Sequence, residues 1–288
     1  MTAFCATHGQ APISRFAPSP TGQLHLGHAF SAVRAHDIAA GGRFLVRIED
    51  IDDGRARPGS VDAIFEDLAW LGLGWDAEMA VQSERGARYD AALARLDAMG
   101  LTYRCVCTRA EVAEAASAPQ GDLPPVYPGT CRRTSIALDD KRPFCLRLDM
   151  AQAIALAGPL EWEDADAGTV CADPAPFGDI VIARKDAGAS YHLAATVDDA
   201  AQGVTDVARG RDLFTATHVH RLLQALLELP TPRYHHHPLV LGPDGKRLAK
   251  RTPGATLADL RASGADPAAL VAGLRAGRLP IGFAFDGA

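Results

Sequence analysis

The sequence predicts an α/β protein: a parallel sheet, interrupted by an inserted α+β segment and closed by a short helical tail. Three observations predict it. Residues 13–50 read strand, loop, helix, strand, a βαβ unit that demands a parallel pair and a right-handed crossover. Strand and helix patterns alternate again after Phe177. Between them, residues 101–176 hold most of the cysteines, many prolines and only weak periodicity.

Each element has a local reason. Ile13–Phe16 is a short apolar strand that Ala17-Pro18-Ser19-Pro20-Thr21-Gly22 cannot continue, because two prolines fix φ and remove donors. From about Leu24 to Ala40, Leu24, His28, Ser31, Ala35 and Ile38 recur at helical steps, and Gly41-Gly42 ends the run. Arg43–Asp50 alternates Phe44, Val46 and Ile48 as a strand does. Ser60 serves as N-cap for a helix over Val61–Leu71, and Gly86–Met99 repeats the amphipathic pattern. Beyond the insertion come a strand at Asp179–Arg184, a helix at Tyr191–Ala200, a strand at Val204–Arg209 and a helix at Thr215–Leu229 closed by Pro230. A short strand at Leu239–Leu241, the turn Gly242-Pro243-Asp244-Gly245, and helices near 256–263 and 267–276 finish the chain. The expected organisation is 1–100 and 177–252 as two halves of one α/β domain, 101–176 as its inserted subdomain, and 253–288 as the tail.

Composition narrows the function classes. With 48% hydrophobic and 22% charged residues, the 288-residue chain has a globular balance, which excludes disorder. A net charge of −6 excludes a surface that is basic throughout, so any nucleic-acid contact rests on local patches such as Arg132-Arg133, Lys141-Arg142 and Arg184-Lys185. No apolar run approaches the roughly 20 residues of a membrane span, and the first 14 residues carry no Arg or Lys to start a secretory signal. A soluble, cytoplasmic monomer without membrane contact is the expectation. Cysteines are too sparse for a disulfide scaffold, which leaves metal ligation or buried thiols.

The chemistry concentrates in Arg15-Phe16-Ala17-Pro18-Ser19-Pro20-Thr21-Gly22-Gln23-Leu24-His25-Leu26-Gly27-His28. This loop joins the carboxyl end of a parallel strand to a helix start, where ligands bind in open α/β sheets and free N–H groups favour phosphate. His25 and His28, three apart, share a helix face and can reach one phosphoryl group. Gly27 removes a side chain where an adenine ring could approach the backbone. Arg15, Glu49 and Arg209 all fall at carboxyl ends of expected parallel strands, which converge on one crevice. Two cationic forks and one anion there would meet a ligand that carries carboxylates and an ammonium. Arginine suits the forks because its planar guanidinium grips carboxylate bidentately. Burying such an arginine against a neutral amide in place of a carboxylate would cost about 2–5 kcal/mol.

The RFAPSPTG…HLGH segment resembles the first signature of class I aminoacyl-tRNA synthetases in its glutamate-specific form. Arg247-Leu248-Ala249-Lys250-Arg251 resembles the second, KMSKS signature, with Lys250 at its second lysine; Arg247, Ala249 and Arg251 depart from it, and Ala249 lacks a hydroxyl. Nearly the whole chain resembles the glutamyl-Q tRNA(Asp) synthetases, short paralogues of glutamyl-tRNA synthetase: RFAPSPTG, RIED, the cysteine cluster and the brief tail over 252–288 carry the likeness. The resemblance implies the Rossmann-like catalytic fold of class I synthetases. It also implies ATP-dependent activation of L-glutamate to glutamyl-adenylate, then transfer to queuosine in the anticodon of tRNA(Asp). Implied catalytic residues are His25, His28 and Lys250, with Mg²⁺ bridging phosphates. Glu49 is assigned to the substrate ammonium, Arg15 and Arg209 to carboxylates, with Tyr191 and Ser19 adding hydroxyls. Pro18, Gly27, His28, Leu248 and Lys250 are assigned to ATP. The alternatives are a truncated glutamyl-tRNA synthetase charging a tRNA 3′ end, and an inactive tRNA-binding module.

Cys105-Val106-Cys107 and Cys131 supply three clustered thiols where a structural zinc needs four ligands. The resemblance supplies Tyr127 as the fourth; Cys145 or one of His235, His236 and His237 are the alternatives. Cys5 and Cys171 read as small hydrophobes. The three adjacent histidines cannot converge on a metal from one strand, because neighbours point to opposite faces. That strand is expected to enter the nucleotide site, with one histidine against adenosine.

Overall fold

The computed structural model describes residues 11–52, 57, 59–108, 110–112, 126–134, 136–137, 139–185, 188–248 and 255–287. Its strands are β1 (Ile13–Phe16), β2 (Arg43–Ile48), β3 (Met79–Val81), β4 (Thr102–Cys105), β5 (Cys145–Leu148), β6 (Glu161–Asp164), β7 (Gly168–Cys171), β8 (Val181–Arg184), β9 (Gly188–Ala189), β10 (Asp206–Gly210), β11 (Arg233–His237), β12 (Val240–Leu241) and β13 (Ala284–Phe285). Its helices are α1 (Leu26–Ile38), α2 (Ser60–Trp70), α3 (Gly86–Ala98), α4 (Thr130–Thr134), α5 (Met150–Ala157), α6 (Tyr191–Ala201), α7 (Ala216–Leu226), α8 (Leu257–Ala262) and α9 (Pro267–Arg275).

The principal sheet runs β3-β2-β1-β10-β11-β6-β7. All its pairs are parallel except the β6–β7 hairpin. The chain builds outward from β1 through β2 and β3, then returns to lay β10 and β11 on the other side of β1. Strand order therefore reverses between β1 and β10, which opens a crevice above their carboxyl ends. Helix α1 spans that junction, burying Leu26, Ala29, Phe30, Ala32, Val33 and Ala35. Gly41, with φ +82, turns the chain after α1. A Cβ at Gly42 would collide with the Pro12 carbonyl, which instead accepts from the Arg43 N–H at 2.9 Å to start β2.

Two local expectations change. Ser60 is the first residue of α2 and not its cap; Gly59 holds the cap position in the left-handed region at φ 74 with no side-chain bond. The pairing also runs across the boundary expected at 176. Strands β4, β5, β8 and β9 form a separate four-stranded antiparallel sheet. The β6–β7 hairpin, from within the expected insertion, joins the principal sheet beside β11 instead. Trp162 on β6 is fully buried against Phe214, Tyr234 and His236, which explains why the hairpin docks there. No helix among the described residues is long and apolar enough to cross a membrane.

Candidate active site

Two cavities meet over the carboxyl ends of the central strands. One, of about 490 Å³, is lined by Arg15, Ser19, Glu49, Tyr191 and Arg209 among others. The second, of about 380 Å³, is lined by His25, Gly27, His237, Val240 and Leu248 among others. His28, Ser31 and Gly210 border both. Every residue expected at glutamate thus lines one cavity, and Gly27, His28 and Leu248, expected at ATP, line the second. Pro18, expected at ATP, lines the first cavity, where its carbonyl accepts from the Glu49 N–H at 3.0 Å. Lys250, with Ala249 and Arg251, lies outside the described residues.

Helix α1 begins differently from the expected row of free amides. The Leu26 N–H goes to the Ala255 carbonyl at 2.9 Å, and the N–H groups of His28 and Ala29 go to the His25 carbonyl. The Gly27 N–H goes to Nδ1 of His25 at 3.1 Å, and the His25 N–H to Nδ1 of His28 at 3.1 Å. These bonds occupy the lone pair of each Nδ1, so in both neutral rings the proton sits on Nε2. The rings stack with centroids 3.7 Å apart. The donors at this helix start are therefore two imidazole Nε2–H groups. Gly27 serves this arrangement too: a Cβ there would lie 3.1 Å from Cε1 of His25, so the missing side chain makes room for that ring.

The cationic side of the first cavity rests on partners that the sequence reading missed. Arg15, only 5% exposed, donates from Nε to Asp199 Oδ1 at 2.8 Å and from Nη1 to the Ala208 carbonyl at 3.2 Å. Arg47, completely buried, reaches the same Asp199 oxygen at 2.8 Å, Gln202 at 3.0 Å and Glu49 at 3.5 Å. Burial opposes the charge of Asp199, yet the two guanidinium groups hold its carboxyl below the usual range. Burial pushes the Glu49 carboxyl up, against the opposing pull of Arg47 and Arg15. The available signals were the Asp198-Asp199 pair in an alanine-rich helix and Arg47 within an apolar strand.

Arg209, also 5% exposed, is held otherwise. It donates to Nε2 of His236 at 3.1 Å, Nδ1 of His220 at 3.2 Å and Oγ1 of Thr217 at 2.6 Å. Behind them, Nδ1 of His236 meets Asp164 at 2.7 Å and Nε2 of His220 meets Nδ1 of His192 at 3.1 Å. Burial, reinforced by the Arg209 charge, pushes His236 and His192 down to about 4 and His220 well below its ordinary value. The three adjacent histidines diverge as expected: His235 turns to Asp206, His236 to Arg209, and His237 lines the second cavity.

The insertion gathers the expected thiols. The sulfurs of Cys105, Cys107 and Cys131 lie within 4.8 Å of one another, with Cys107 and Cys131 3.4 Å apart and the Tyr127 hydroxyl 3.6 Å from Cys107. Ligands about 2.3 Å from a tetrahedral zinc stand roughly 3.8 Å from one another, so the donor set fits that ion. Cys145 instead turns its thiol to the Cys105 carbonyl at 3.4 Å. Cys171, read as a small hydrophobe, is exposed on the edge strand β7, and Cys5 lies outside the described residues. The candidate basic patches are partly neutralised within the chain: Arg132 pairs with Asp149 and Asp179, Arg142 with Asp140, and Arg184 with Asp52.

Comparison with known proteins agrees with this geometry. The model of the "tRNA synthetases class I (E and Q), catalytic domain" family matches residues 13–281. A glutamyl-Q tRNA(Asp) synthetase of Rhodobacter capsulatus is 50% identical over 273 residues, covering 89% of this chain and 97% of the relative. That of Symbiobacterium thermophilum is 45% identical, covering 89% of this chain and 83% of the relative. Among solved structures, a glutamate tRNA ligase from Elizabethkingia meningosepticum in complex with its amino acid superposes with TM-score 0.70 at 30% identity. The match covers 84% of this chain and only 52% of that one, so the chain spans about half of the solved ligase. The chain belongs to the class I tRNA synthetases of the E and Q family and, within it, to the glutamyl-Q tRNA(Asp) synthetases.

Proposed function

We propose that this chain activates L-glutamate with ATP to glutamyl-adenylate and transfers the glutamyl group to queuosine in the anticodon of tRNA(Asp). The observation that carries the reading is the pair of cavities sharing His28, Ser31 and Gly210. One offers two guanidinium groups and a carboxylate, the complement of glutamate. The other abuts two imidazole donors.

Glutamate binds with its ammonium at Glu49 and its carboxylates at Arg15 and Arg209, with Tyr191 and Ser19 adding hydroxyls. ATP occupies the second cavity beside Gly27, His237 and Leu248. An oxygen of the glutamate α-carboxylate attacks the α-phosphorus, and the bond to pyrophosphate breaks. The Nε2–H groups of His25 and His28 donate to phosphoryl oxygens as negative charge grows there. Lys250, two residues beyond cavity-lining Leu248, is assigned the same task. Mg²⁺ bound with ATP would supply charge neutralisation. Cys105, Cys107, Tyr127 and Cys131 would hold a zinc ion that would tie β4 to α4 in the insertion, on which the anticodon arm docks. A nucleophile of queuosine then takes the acyl group, releasing AMP.

Transfer of labelled glutamate to tRNA(Asp) with and without queuosine, followed by nuclease mapping, tests the reading. Label confined to the queuosine-containing anticodon fragment is expected. Label at the 3′ end overturns the acceptor assignment.

A further inference from the structure

Arg15 and Arg209 face one cavity but differ in how their charge is met. Arg15 is bonded directly to a carboxylate, Asp199. Among the described residues, every side-chain acceptor of Arg209 is electrically neutral: two imidazoles and the Thr217 hydroxyl. The carboxylate nearest along this chain of bonds, Asp164, is separated from Arg209 by the whole His236 ring. Tautomers follow, because a guanidinium only donates. His236 accepts at Nε2 and donates from Nδ1 to Asp164; His220 accepts at Nδ1 and donates from Nε2 to His192.

We propose that His236 and His220 are positioning residues that aim the Arg209 fork into the cavity with its positive charge uncancelled, and so set the preference for a carboxylate over a carboxamide substrate. The proposal rests on the reading that Arg209 grips a glutamate carboxylate. The physical ground is that a carboxylate in place of either ring would satisfy the same donors while neutralising the fork, and a neutral amide ligand would then lose little relative to an anion. Imidazole supplies the acceptor without the charge, and its second nitrogen anchors the ring so that the fork cannot rotate. Thr217 fixes the third corner at 2.6 Å.

Glutamate- and glutamine-dependent pyrophosphate exchange, with acceptor tRNA present, tests this in the intact protein. His220→Asn and His220→Asp place the same-shaped acceptor near the former Nδ1 and differ chiefly in charge. His220→Asp is expected to raise the glutamate KM about 30-fold and to lower the glutamate-over-glutamine preference at least about tenfold, with the ATP KM within about twofold. His220→Asn is expected to stay within about fivefold of the parent, and His236→Leu to follow His220→Asp. Equal behaviour of His220→Asn and His220→Asp overturns the proposal, as does a loss in His236→Leu shared equally by the ATP KM and the melting temperature. Arg209→Ala separates the two failures. If it abolishes glutamate preference while His220→Asp does not, the positioning idea falls and the Arg209 assignment stands; if it leaves the glutamate KM unchanged, the assignment itself falls and takes the proposal with it.

Discussion

Replacing Asp199 by asparagine removes one negative charge from beneath two buried cations. Arg15 and Arg47 both contact its Oδ1 at 2.8 Å, and their side chains are 6% and 0% exposed. After the change, Glu49, 3.5 Å from Arg47, is the carboxylate left to serve both guanidinium groups. Breaking a buried pair from one side costs about 3–5 kcal/mol, because the stranded charge cannot return to water. At about 2–4 °C per kcal/mol for a chain of this size, the melting temperature should fall by roughly 6–20 °C. Urea unfolding and thermal melting at pH 7.5 measure it. Arg47→Met added to Asp199→Asn removes one stranded cation, and the double variant is expected to be at least about 1 kcal/mol more stable than the single one. An Asp199→Asn protein within about 1 kcal/mol of the parent would refute the idea that this carboxylate holds the cationic wall together.

Other outcomes are expected from the same geometry. Gly27→Ala should lower kcat for adenylate formation about tenfold or more with little change in glutamate KM or melting temperature, since the new Cβ presses on the His25 ring and alanine favours the helix; an unchanged kcat in pyrophosphate exchange would count against the imidazole donors. Because His236 is pushed down from 6.5 to about 4, the unfolded chain takes up its proton first. The contribution is then complete above pH 6.5 and disappears as pH falls toward 4, about 3 kcal/mol at most. Urea midpoints between pH 7.5 and 4 should fall more in the parent than in His236→Gln. Zinc near one atom per chain is expected in protein purified without added metal, and Cys131→Ser should lose it; full retention by elemental analysis would remove Cys131 from the ligand set.

The framework was legible because its signals are local. The alternation of Phe44, Val46 and Ile48 and the prolines after Phe16 marked two parallel strands and the loop between β1 and α1. Arg15, Glu49 and Arg209 could be placed together because parallel strand ends converge. What stayed hidden depends on contacts across long separations. Nothing near Asp199 in sequence announces that it meets Arg15 and Arg47, 184 and 152 positions away. The β6–β7 hairpin looked like part of the insertion because its own residues do not encode that Trp162 packs on Tyr234 and Phe214. At α1, the helix start promised vacant amides, and only the folded geometry showed imidazoles on the His25 and Gly27 amides and the Ala255 carbonyl on that of Leu26.

The short helices after residue 254 hold more than the rim of the core. The Ala255 carbonyl receives the Leu26 N–H, Leu257 bonds back to Leu24, and Thr256 bridges to His25. Arg275 of α9 grips Asp37 at the far end of α1, at 2.7 Å. The tail thus clamps both extremities of the helix that bears the imidazole pair, like a splint along a bone. Trimming it would free that helix at both ends and uncover the core that Leu257, Val271 and Leu274 close.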